Sequence, residues 1–359
     1  MLINSIKNNW LVFFIAIVFF AKIFFYLLIK NGFLAISLGG GSDADLYNSH
    51  ALGYTEAVVN IWPVILRYLN DLGLYSRDIF SFLLLLLNLF FIPILAAKLS
   101  GLSFNSNQKY YLYIILLCLV YPTLYFYTFD IYRDVFMVFF FLVGCFFVKK
   151  TLVSTSFFYF LFFYFLAILS GFFLIALRPY LGYAFLLALV LWGVKLTKKR
   201  IILFGFLYFI ALFLMNYIGL LDRLTEYRSG FEEGDGGSTL GLDFSNPVMF
   251  IPNFILSILG QLFGLYVTNP FAIILLLVET IPFFFMLVYV IKNIRLSDSF
   301  IRFLIIFFVL YGSVWLIGND NLGTAVRLRI YNYLAIYICF FYILSIKYLS
   351  SKVTQVNKK

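Results

Sequence analysis

The feature that most limits this chain is its run of apolar segments, several of them about 20 residues long, which is the length that crosses a bilayer as a helix. A backbone in lipid must satisfy its own hydrogen bonds, and these runs are too long for barrel strands, so helices are the only solution. With 64% hydrophobic and 12% charged residues, the chain is excluded from the soluble globular class, which carries about 25% charge. The sequence predicts an all-α polytopic membrane protein, 1–359 forming a single integral membrane domain. The first run has no small-residue cleavage site and is followed by many similar runs, so it is a span and not a signal peptide.

Ten spans are predicted: Trp10–Ile29, Ile79–Ala97, Tyr110–Thr128, Val135–Val148, Phe157–Leu177, Tyr180–Val194, Ile201–Leu220, Pro270–Ile291, Phe303–Ile317 and Ile330–Ile346. Val248–Val267 is ambiguous and is read as a re-entrant or interfacial helix. With the N-terminus in the cytoplasm, sixteen of the 26 cations fall inside and nine outside, with Lys22 within the first span. The positive-inside rule favours this orientation, with both termini cytoplasmic. Residues 31–78 then form a first periplasmic loop, and 221–269 a large late periplasmic loop with a partial helix. Eight of the nine outer cations are arginine, whereas the inner ones are mostly lysine. Topology needs only charge; the planar guanidinium is what grips phosphate and carboxylate with two bonds.

The stretch Gly39–Arg77 is the most polar in the chain and holds its only histidine, His50. Asp43 and Asp45 point the same way if their segment is extended and apart if it is helical. Either carboxylate can serve as a general base toward an acceptor hydroxyl, and His50 can do so near neutral pH. The competing readings are a helix cap with solvated charge for the acids and a hydrogen-bonding bystander for the histidine. Two acids are too few to assign a metal. Trp62-Pro63 and Tyr68 suggest an interfacial helix with aromatic anchors. Asp130, Arg133 and Asp134 are spaced to share one helical face, with Arg133 held by its two acids before a substrate cavity, or the three neutralising one another.

Arg178-Pro179-Tyr180 divides two apolar runs with almost no loop, and an arginine there is expensive unless it snorkels or faces a polar cavity. Late in the chain, Asn319-Asp320-Asn321 leads to Thr324, Arg327 and Arg329 at the opening of the last span. A helix N-terminus flanked by two arginines makes a candidate pyrophosphate site, or an interfacial cap. The glycine-rich run 234–238 fits a mobile lid and plain disorder equally. Glu279 lies inside a span, where an acid requires a partner that the sequence does not name. Cys118, Cys145 and Cys339 all lie within apolar runs, so no disulfide framework is expected. The net charge of +10 fits inner-leaflet anchoring; nothing resembles a nucleic-acid motif, and no nucleic-acid partner or cofactor is expected.

Outer arginines, carboxylates and aromatics together suit a glycan carried on a polyprenyl phosphate or pyrophosphate. The segments SDADLYNSHA, LRPYLG, EYR…GGS and NDNLGTAVRLR resemble bacterial O-antigen and capsular polysaccharide polymerases of the Wzy type. That resemblance implies a GT-C-like membrane glycosyltransferase of the bacterial inner membrane. It would polymerise undecaprenyl-pyrophosphate-linked repeat units, with the lipid-linked glycan as donor and acceptor, and with membrane lipid and a chain-length regulator protein as candidate partners. Asp43, Asp45 or His50 would supply the base. Arg133, Arg178, Arg327 and Arg329, with Tyr180 and Asn321, would hold the pyrophosphate and substrate. Two alternatives stand beside it: a GT-C transferase moving a single sugar from a polyprenyl-phosphate donor, and a lipid-linked oligosaccharide flippase.

Overall fold

A computed structural model describes residues 9–34, 41–105, 107–195, 197–229 and 238–356. The described residues form helices and no strand, with one isolated bridge between Thr239 and Asn321. In chain order the helices are α1 Asn9–Lys30, α2 Ser42–Ala51, α3 Ile61–Asp71, α4 Arg77–Leu99, α5 Gln108–Val120, α6 Pro122–Phe126, α7 Arg133–Val153 and α8 Phe157–Leu177. They continue as α9 Pro179–Leu191, α10 Lys198–Tyr217, α11 Asp222–Ser229, α12 Pro247–Leu262, α13 Pro270–Lys292, α14 Ser299–Gly318 and α15 Leu322–Val356. Eight of these (α1, α4, α7, α8, α10, α13, α14 and α15) are long and apolar enough to cross a membrane; α5, α9 and α12 are apolar but shorter. The protein is an all-α polytopic membrane protein.

Several boundaries differ from expectation for local reasons. The third predicted span breaks at Tyr121, whose extended backbone (ψ 108°) is what a following proline imposes, so α5 stops at Val120 and Pro122 starts α6. The last helix begins at Leu322, earlier than Ile330, which puts Arg327 and Arg329 inside the helix. Val248–Val267 becomes the 16-residue α12. Asp130 lies ahead of α7, which starts at Arg133, so the shared helical face expected for Asp130, Arg133 and Asp134 does not form. The lid expected at 234–238 falls largely outside the described residues.

Two spans carry π-helical turns, Leu87–Phe91 in α4 and Leu276–Thr280 in α13. Each immediately precedes an Ile-Pro pair, Ile92-Pro93 and Ile281-Pro282. Proline lacks the N–H that would bond four residues back and its ring crowds that carbonyl; one wide turn relieves both problems without breaking the helix. The inserted residue also turns the following face.

The chain divides into two compact units, Met1–Gly182 with Leu344–Lys359, and Tyr183–Ile343. In the first, Tyr26, Leu85, Leu89, Leu119 and Phe129 form a buried apolar cluster. Tyr26 and Ser81 share a hydrogen bond of 2.6 Å between α1 and α4. In the second, α12 turns a polar stripe of Asn253, Ser257 and Gln261, four residues apart, inward. Ser257 donates to the carbonyl of Leu316 (2.6 Å) and Gln261 to that of Asn319 (2.8 Å), binding α12 to the end of α14.

Candidate functional site

The first unit gathers three of the polar stretches singled out above. The chain enters α2 through Gly41, at φ 101°, a left-handed conformation open to glycine at little cost. A Cβ there would lie 3.6 Å from the Tyr132 hydroxyl, so the start of α2 lies against the approach to α7.

Because 42–51 is helical, Asp43 and Asp45 are about 200° apart around its axis. They point to different sides of the helix. Asp45 is exposed and accepts from Arg77 Nη2 at 2.8 Å. The same guanidinium grips Asp130 with two bonds, Nε to Oδ1 at 2.8 Å and Nη2 to Oδ2 at 2.6 Å. Asp130 is buried and also accepts from the N–H of Ile131. On the same side, Tyr75 donates to Asn48 Oδ1 at 2.7 Å.

Asp43, Tyr47 and His50, spaced i, i+4 and i+7, share the other face. Burial is the main reason the Tyr47 phenol is pushed above its ordinary pKa; Arg133 opposes the shift, and Asp43 and Asp134 reinforce it. One guanidinium and two carboxylates thus act on the tyrosine electrostatically. Asp134 is buried, with Oδ1 3.6 Å from Arg178 Nη2 and without a hydrogen-bond partner for that oxygen among the described residues. Arg133 donates to the carbonyl of Leu177 at 3.0 Å, at the end of α8, so its anchor is a helix C-terminus and not the two acids expected. Arg178 itself is buried, sits between α8 and α9 with an extended backbone, and lies over the ring of Tyr180 at 5.8 Å. Pro179 opens α9, where its missing N–H costs nothing.

His50 is buried, and its Nδ1 has no hydrogen-bond partner among the described residues. Arg67 donates to its carbonyl at 3.4 Å. Trp62, expected as an interfacial anchor, is buried: its Nε1 donates to the carbonyl of Ile131 at 2.8 Å and its ring meets Phe136 at 4.5 Å. It fastens α3 to the start of α7.

The second unit holds Arg327, Arg329 and Asn321. Asn321 caps α15, its Oδ1 accepting from the N–H of Thr324 at 2.8 Å, so one of the free N–H groups proposed for phosphate is already taken. Arg329 is buried and donates to Glu279 at 3.0 Å. That is the partner the sequence left unnamed, and the π-turn of α13 carries the acid. Arg327 is half-buried. Arg228, the arginine of the EYR segment, is buried and ion-paired with Asp320, and it donates to three carbonyls at the end of α14. Among the described residues no group of three or more acids, histidines and cysteines is placed to hold a metal.

The sequence reading that Arg67 and Arg77 bridge the local acids is met by the Arg67–Glu56 and Arg77–Asp45 pairs; what it missed is the pairing of Arg77 with Asp130, and Tyr47. The i, i+4 spacing of Asp43 and Tyr47 was the available signal, and it depended on reading 42–51 as helix. The chain matches no protein-family profile, no curated protein and no solved structure.

Proposed function

We propose that the protein is a GT-C-like membrane glycosyltransferase that polymerises glycan units carried on polyprenyl pyrophosphate. The reaction would occur at the outer face of the bacterial inner membrane with both termini cytoplasmic, an orientation that the cation distribution favours. The observation that carries the reading is the meeting of α7 with the α8–α9 turn, where Asp134 faces Arg178 at 3.6 Å and Arg133 donates to the carbonyl of Leu177, while the start of α2, which carries Asp43 and Tyr47, lies against Tyr132 beside them. Such a set combines a carboxylate for proton removal with two guanidinium groups for a departing phosphate.

In this reading Asp43 accepts the proton of the acceptor hydroxyl. The oxygen attacks the anomeric carbon of the donor, and the bond from that carbon to the pyrophosphate oxygen breaks. Arg133 and Arg178 take up the negative charge that develops on the leaving group. Arg327 and Arg329 belong to the second unit and take no part in this assignment; Arg329 is paired with Glu279.

The test is expression of Asp43→Asn and Arg178→Ala in a strain lacking its own polymerase, with membrane abundance checked by blot. Loss of the glycan ladder at normal abundance is expected. Ladders of ordinary length from both variants would overturn the assignment, and a single added sugar from the unaltered protein would favour the simpler transferase.

A further inference from the structure

The Asp45–Arg77–Asp130 bridge lies on the side of α2 opposite Asp43, and the proposed chemistry does not use it. Its geometry nevertheless bears on that chemistry. Arg77 is at the first position of α4, Asp130 is in the connection before α7, and Asp45 is in the first turn of α2. One guanidinium therefore joins three elements. The two-bond grip on Asp130 fixes the plane of the fork, and the second use of Nη2 fixes where Asp45 must lie. A ten-residue helix with an exposed side can rotate about its axis. Holding Asp45 and Asn48, three residues apart on one side, removes that freedom. The rotation so fixed buries Tyr47 and puts Asp43, four residues before it, on the same face, at the end of α2 that lies against Tyr132, the residue before Arg133.

We infer that Arg77 and Asp45 are positioning residues: the bridge they form sets the rotation of α2 and so aims the Asp43 carboxylate into the arginine cluster. This rests on the proposed function for the meaning of the aim, but the aim itself is a geometric claim. Asp45 is exposed, and an exposed ion pair contributes little to stability. Asp45→Asn is thus expected to leave the protein folded while loosening α2, with the Arg77–Asp130 pair intact.

The experiment uses the full-length protein in proteoliposomes with a cysteine introduced as Asp43→Cys. The native cysteines Cys118, Cys145 and Cys339 are buried and give a low background. Labelling by a membrane-impermeant maleimide is followed alone and combined with Asp45→Asn, Asp45→Glu or Arg77→Gln. A several-fold rise in labelling rate with Asp45→Asn and Arg77→Gln, and recovery toward the starting rate with Asp45→Glu, is expected. Unchanged rates in all three overturn the inference, whatever the protein's activity. On the Asp43-containing protein, Asp45→Asn is expected to lower kcat at least tenfold with KM little changed. Changed labelling with full activity in Asp43→Asn would sink the function proposed above and leave the positioning intact. Changed labelling with kcat unaltered by Asp45→Asn would remove the link between them.

Discussion

Arg329 and Glu279 form an ion pair of 3.0 Å with side chains 3% and 0% exposed, bridging α15 and the π-turn of α13. A charge stranded in such a place is far more costly than the pair. Removing either partner is expected to lower stability by about 3–5 kcal/mol, whereas replacing both with apolar side chains of similar size is close to neutral. Glu279→Ala and Arg329→Ala should each show a large fall in thermal midpoint in detergent. Glu279→Leu/Arg329→Met should recover most of it. A double variant as unstable as the two losses added together would refute the pairing. If the recovered double variant also loses product formation, Arg329 serves more than structure.

Arg228 makes a second buried contact of this kind. Its Nη1 donates to the carbonyls of Leu316, Ile317 and Asn319, its Nε to that of Leu242 at 2.9 Å, and its Nη2 pairs with Asp320. The last carbonyls of α14 have no partner within the helix, and this side chain supplies one. Asp320 Oδ2 in turn accepts from the N–H of Gly241 at 2.9 Å. A lysine has a compact ammonium and cannot span that set of acceptors. Arg228→Lys should therefore destabilise by about 3 kcal/mol, close to the alanine variant. Limited proteolysis should show new cleavage between 238 and 246; protection equal to that of the unaltered protein would contradict the assignment.

The turn that presents Arg178 depends on a close helix approach. A Cβ on Gly182 would collide with the backbone nitrogen of Ile175 and meet the carbonyl oxygen of Gly171 at 2.6 Å. Backbone atoms cannot move aside as a side-chain tip can, so Gly182→Ala must separate α8 from α9. Gly205, with nothing within 4 Å of its added Cβ, is the control. Gly205→Ala sits in a helix and should gain up to about 1 kcal/mol. Gly182→Ala should lose stability and, on the proposed function, shorten the glycan ladder. Equal behaviour of the two variants would remove the close approach as the reason for glycine at 182.

The apolar runs were legible because a bilayer admits one backbone solution. Span ends were less so: Pro122 ended a helix that hydropathy alone carried to Thr128. The polar stretches were found because charge stands out against lipid-facing sequence, and three of them do converge. Their pairing was not legible. Asp130 is three residues from Arg133, yet it belongs to Arg77, 53 residues away, because α7 starts too late to hold the nearer arginine on its face. Likewise Glu279 and Arg329 are 50 residues apart, and the π-turn that carries the acid into register is set by Pro282. Ion pairs across helices depend on rotational register, which a one-residue insertion in a turn changes by about 100°.

Tyr75 offers a titration that isolates the docking of α2. Its hydroxyl donates to Asn48 Oδ1 at 2.7 Å. Burial is the main cause that pushes its pKa from 10.0 up to about 12; Arg77 opposes this, and Asp130 and Asp78 add to it. The folded protein therefore holds the phenol proton more tightly than the unfolded chain does. The contribution is complete below pH 10 and is lost as the pH rises from there toward 12. Tyr75→Phe removes both the hydrogen bond, worth about 1 kcal/mol, and the titration. The 27 tyrosines and the lysines all titrate in alkali, so the informative quantity is the difference in stability between the two proteins. That difference should be constant up to about pH 10 and then shrink, because the unaltered protein loses an advantage that the variant never had. A difference that stays level up to pH 12 would mean that the Tyr75 hydroxyl is not held against α2.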